Sequence, residues 1–179
     1  MSLFQISIST SFILLSIGLY SWLTRKNITA KMLFLARSNK VAVILLSISL
    51  AWFMFRYVKN LSEADFGNYK LIIGSVAVFI YFGSFVLVKD FLAVRAACIL
   101  CLFYSREVLD AAWLQDPPGR LVLVSVTYLI ISMSLYFGAW PFRFRDFFQW
   151  LGLEKTRTSI FAFAIMITGL FLLSASYTL

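Results

Sequence analysis

The sequence predicts an all-α integral membrane protein: a bundle of about six transmembrane helices with a short amphipathic helix at the membrane surface. Three observations predict it. Of 179 residues, 61% are hydrophobic and 13% charged, and the mean hydropathy is +0.89, too apolar for a water-soluble domain of this size. The charges gather between long uncharged runs. Four of those runs, 1–24, 71–88, 121–142 and 158–179, reach or approach the length of helix that a hydrocarbon core requires, about 20 residues for roughly 30 Å. With no internal repeat, low-complexity tract or soluble stretch able to bury its own core, residues 1–179 read as a single polytopic domain.

The first span lies near 3–23. No basic region precedes it and the first charge is Arg25, so it reads as a retained span and not a cleaved leader. Its Ser7, Ser9, Thr10, Ser11, Ser16 and Gly18 are small residues that let helices approach closely. Residues 27–40 form a shorter interfacial element, whose Asn27-Ile28-Thr29 sequon is a chance match on the predicted cytoplasmic side. The second span, near 39–57, has an uncharged run of only 41–55, which Lys40 and Arg56 extend by laying their stems along the core. "NLSEADFGN", 60–68, is a polar loop in which Ser62 and Asp65 are placed to cap a short helix. The third span, near 70–88, carries Gly74 and Gly83, and "LVKDFL", 86–91, leads onward without glycine or proline. That link is either a tight hairpin or the bend of one long helix.

The fourth segment, near 91–112, is the difficult one, because Arg95 and Arg106 stand eleven residues apart, about 16 Å of helix rise and only half a hydrocarbon core. Side chains lean toward the helix N-terminus, so Arg95 snorkels easily and Arg106 does not. Asp110 lies one turn beyond Arg106 as a partner. Lys89, Arg95, Arg106, Glu107 and Asp110 share a stripe, with Ile99 and Phe103 between them. An unpaired arginine at mid-bilayer costs about 2.5–3.5 kcal/mol on insertion scales, so a spanning helix is expected to turn this stripe to protein or water. The stripe either lines a solute path or partner contact, or pairs internally and sets helix register.

"DPPGR", 116–120, is a strong breaker before the fifth span, near 121–141. "WPFRFRDFFQWLG", 140–152, then reads as an interfacial helix near 142–151, with Phe144, Phe147, Phe148 and Leu151 opposite Arg145, Asp146 and Gln149. Trp140, Arg143, Arg145, Phe147 and Trp150 are its candidate lipid or partner contacts; the alternative is an ordinary aromatic belt. The last span lies near 159–178.

The formal charge of +8 belongs to flanks that face anionic headgroups and not to nucleic acid. With no histidine and two cysteines, neither a metal nor another cofactor is expected, and no catalytic group stands out. Cys98 and Cys101 form C-x-x-C, but in an apolar helix they read as small contact residues. With six spans and the N-terminus outside, the inner loops hold Arg25, Lys26, Lys31, Arg37, Lys40, Lys89, Arg143, Arg145, Lys155 and Arg157, ten cations. The outer loops hold Arg56, Lys59, Lys70, Arg106 and Arg120, five. If 91–114 did not cross, the ratio would fall to nine against seven, so six spans with both termini outside are expected, in a bacterial inner membrane.

"SIGLYSWLTRKN", residues 16–27, resembles the first span of the small antiporter-like K subunit of respiratory complex I. The membrane-embedded glutamates that family uses are absent here, and no role is carried over. The first expectation for function is a non-catalytic subunit or scaffold of a larger membrane complex, with other membrane subunits and possible anionic lipid as partners. The alternative is a small-solute transporter, binding component or pore using the Arg95, Arg106 and Asp110 stripe, similar in size to the substrate-binding subunits of vitamin importers. A lipid-acting enzyme with Asp110 or Glu107 as base ranks third.

Overall fold

A computed structural model of the protein describes residues 2–62, 67–88, 90–116 and 119–177. Among these, all regular structure is helical: α1 (Leu3–Leu23), α2 (Ile28–Arg37), α3 (Asn39–Trp52), α4 (Lys70–Leu87), α5 (Leu92–Ala112), α6 (Gly119–Ala139), α7 (Pro141–Gly152) and α8 (Lys155–Ser176). α3 runs on as a π-helical turn, Phe53–Val58, and a 3-10 turn, Gly67–Tyr69, leads into α4. Five segments are long and apolar enough to cross a membrane: α1, α3 with its π turn, α4 with its 3-10 turn, α6 and α8. α5 is not one of them, because its charges fall inside the helix.

Local signals account for the helix ends. Ser2 and Gln5 form a reciprocal capping box at α1, and the Ser38 hydroxyl accepts from the Val41 amide at the start of α3. Pro141 occupies the first turn of α7, where its missing N–H costs nothing. The 86–91 link resolves as a break and not as one bent helix. α4 stops at Leu87, and Phe91 takes a left-handed conformation (φ 56°) before α5 begins. Lys89, Asp65 and the two prolines of "DPPGR" lie outside the described residues.

The bundle has two halves. α1 and α8 pack antiparallel on each other, with Gly18 against Ala162 and Met166, and Gly169 against Leu14 and Leu15. Ser7, Ser11, Gly18 and Ser21 of α1, and Thr158, Ala162, Gly169, Leu172 and Ser176 of α8, are buried. These positions follow the alternating three- and four-residue spacing of a coiled-coil seam, built from small side chains so that the backbones approach.

In the second half α5 is central. It runs parallel to α3, with Leu92, Ala93 and Ala96 packed on Ala42 and Leu46 at one end and Phe103 on Phe53 toward the other. It runs antiparallel along α6, from Cys98 beside Gly138 to Val108 beside Leu123. α4 is peripheral, touching mainly α3 and its π turn, with only Gly74 buried. Across one end of both halves lie α2 and α7, joined by the Thr29 hydroxyl donating to the Phe148 carbonyl at 2.9 Å, with Ile28 and Leu151 buried.

Candidate functional site

The charges of α5 separate into three groups. Glu107 turns toward α3, where the π turn presents Arg56, and Arg56 Nε and Nη2 donate to Oε1 and Oε2, each at 2.8 Å. This two-pronged geometry is the strongest form of a carboxylate–guanidinium contact. The Tyr57 hydroxyl stands 3.5 Å from the same carboxylate. A π turn inside an α-helix often marks a functional position; here it brings Arg56 and Tyr57 together against α5.

Arg106 and Asp110 make the second group. They pair at 3.7 Å across one helical turn, and each side chain is 62% exposed. The Arg106 guanidinium also lies 4.4 Å from the centre of the Tyr57 ring, a cation–π contact. The expected shielding of the stripe is thus uneven. Glu107 is largely covered, whereas Arg106 and Asp110 stand on the surface of the described bundle. Arg95 is the third group: at the other end of α5, its Nε is buried and has no hydrogen-bond partner.

A small pocket of about 440 Å³ opens beside the first group, lined by Ile6, Arg56, Glu107, Asp110 and Ala111. Toward the middle of the bundle the rings of Phe53, Tyr57 and Phe103 cluster with centres 5.6–6.3 Å apart, Phe53 stacked on Phe103 and Tyr57 tilted against both. The Tyr104 hydroxyl meets Thr10 at 2.7 Å and Ser9 at 3.3 Å. Phe53 and Phe103 stand about one helical turn inward of Arg56 and Glu107.

A larger cavity of about 620 Å³ lies between the two halves, beneath α2 and α7. Its polar lining side chains are Ser134, Thr168, Cys98 and Cys101, and Thr168 donates to the Ala164 carbonyl of its own helix. Cys98 and Cys101 therefore face hydrocarbon side chains, a setting unlike the electropositive surroundings of a reactive thiol.

Of the interfacial residues, Phe147 packs inward on Phe137 and Phe161. Trp140 and Trp150 are exposed, Trp150 beneath the Arg157 guanidinium at 5.2 Å and Trp140 against Tyr136. Arg145 bonds its neighbour Asp146 at 2.9 Å, and Arg143 lies over Phe142 at 5.7 Å. Arg56 and Tyr57 escaped the sequence reading of the site, because nothing local in the chain ties them to a glutamate in another helix. Comparison with known proteins finds no family model, no curated protein and no solved structure that matches the chain.

Proposed function

We propose that the chain is a six-pass membrane protein acting as a non-catalytic component of a larger membrane assembly. The observation that carries the reading is the disposition of charge on α5. Glu107 is spent on fixing α3 to α5, while Arg106 and Asp110 are left on the outer flank. Arg106 lies six residues before the end of α5, about 9 Å in from it, at a depth where hydrocarbon solvates charge poorly. A neighbouring polypeptide laid along this flank would cover both groups.

Support for the sixth crossing comes from the company α5 keeps. It extends beside α6 for most of that helix's length and parallel to α3, so a bilayer that holds those two holds α5 as well. The antiparallel α1–α8 pair points the same way, since it needs an even number of crossings between its members. Arg25, Lys26, Lys31, Arg37, Lys40, Arg143, Arg145, Lys155 and Arg157 lie in or beside α2 and α7, which favours that face as cytoplasmic.

The test is a photo-crosslinking amino acid at Ile99, a 37% exposed residue between Arg95 and Arg106, activated in native membranes. The expected product is an adduct to a second polypeptide, weakened by Arg106→Leu. Adducts to lipid alone, together with a monodisperse lone chain in mild detergent, would remove the reading. A second reading, a small-solute binding component, draws on the polar pocket at Arg56, Glu107 and Asp110. The aromatic cluster inward of that pocket weighs against a continuous path.

A further inference from the structure

We infer that the cavity between the two halves of the bundle holds one acyl chain of an anionic phospholipid, drawn from the leaflet on the α2–α7 side. The inference rests on the membrane reading above.

The cavity's shape suits a single chain. Along α6 its lining runs from Phe137 back to Val126, about 16 Å by helical rise and half of a roughly 30 Å core, the depth of one leaflet. Leu14 and Ile165 of the α1–α8 half line it together with Ala97, Cys98, Ile130 and Met133 of the other half. Leu35, Ala36 and Phe144 of the surface helices line the end nearest the headgroups. A volume of about 620 Å³ is within the range of ligand sites. A polar solute would find almost nothing to bond there, whereas a hydrocarbon chain recovers dispersion contacts that an empty apolar space forfeits.

Charge selects the headgroup. Arg37 follows Ala36 of the roof, Lys40 precedes Val41 of the wall, and Arg95 follows Val94. Among the described residues none of these three cations forms an ion pair, although Arg145 and Arg157 each have a carboxylate. The buried, unbonded Arg95 Nε lies in this same end of α5. Arg37 lies over the Phe91 ring, and Lys40 and Arg95 adjoin wall residues without an ion pair of their own. This concentration of cations at the α2–α7 end of a one-leaflet hydrocarbon slot fits a phosphate-bearing lipid, and anionic lipids concentrate in the cytoplasmic leaflet.

The test uses the full chain in phosphatidylcholine vesicles doped with phosphatidylglycerol bearing a diazirine midway along one acyl chain. After irradiation, adducts are mapped by peptide mass spectrometry. Adducts are expected on the Ala97–Cys98 and Ile165 segments, and also on the 78% exposed Phe79 of α4, which reports lipid around the protein. Ala97→Trp, which obstructs the cavity, should lower the interior adducts several-fold and leave those at Phe79 unchanged. If that variant does not fold, a bulky maleimide on Cys98 of a Cys101→Ala chain provides the same block. Moving the diazirine to phosphatidylcholine should also lower the interior yield several-fold. Interior adducts that are missing while Phe79 is labelled would overturn the inference alone, as would equal interior yields from the two lipids. An unlabelled Phe79 would overturn the membrane reading and this inference with it.

Discussion

Phe91 and Leu114 occupy the left-handed region, with φ of 56° and 54°, where a β-carbon crowds the following carbonyl oxygen at about 1–2 kcal/mol. Phe91 is held there by its surroundings: Arg37 stacks over the ring at 5.6 Å, and Leu92 and Ala93 are fixed in the core beside α3. The strain can be isolated by comparing two variants. Both Phe91→Gly and Phe91→Ala lose the ring, but only alanine keeps a β-carbon, so the glycine variant should be the more stable by about 1 kcal/mol in denaturant titration. Equal stabilities would mean that the corner carries no strain. This corner was not legible in the sequence, because contacts from other helices impose it on an ordinary aromatic residue. The ion pairs show the same division. Arg106 with Asp110 follows from the one-turn rule within a helix, but the Arg56 partner of Glu107 is 51 residues away, in a helix of unknown register from the sequence alone.

At the level of elements, the seam between α1 and α8 was half legible. The abundance of small residues in the first span announced close packing, but not which of them would face inward. Ser7, Ser11 and Gly18 are buried, whereas Ser9 and Ser16 are exposed. A β-carbon on Gly18 would lie 2.5 Å from Met166 Cγ and 3.1 Å from the Ala162 carbonyl oxygen. Met166 can swing aside, but the backbone carbonyl cannot. Gly18→Leu should therefore destabilise the protein by about 1–3 kcal/mol through overpacking, while Ser16→Leu, on the outer face, should leave it unchanged. Thermal unfolding in detergent distinguishes them; a tolerated Gly18→Leu would mean that the seam opens without cost. The segment boundaries from uncharged runs came close to the helices, since lipid-matched length is a coarse property of composition. α5 fails that criterion because Arg95, Arg106, Glu107 and Asp110 interrupt its apolar run; the sequence reading places a segment near 91–112 on the stripe they form, and the helix is Leu92–Ala112.

For the whole molecule, the decisive arrangement is that α5 lies between α3 and α6 and matches their extent. In a chain with Cys98 and Cys101 replaced by alanine, Asp90→Cys and Gln115→Cys should react with an impermeant thiol reagent from opposite sides of the membrane. Reaction from the same side would remove the sixth crossing. The α1–α8 seam also sets an order of assembly. More than a hundred residues separate α1 from its mate, so at a synthesis rate of about 5–20 residues per second the hydroxyl-lined edge of α1 stays unmatched for many seconds after it leaves the ribosome. During that interval the nascent chain carries a half-built seam whose other face does not yet exist. Damage to α8 would therefore show as degradation of the completed chain, in which the waiting edge of α1 never finds its mate.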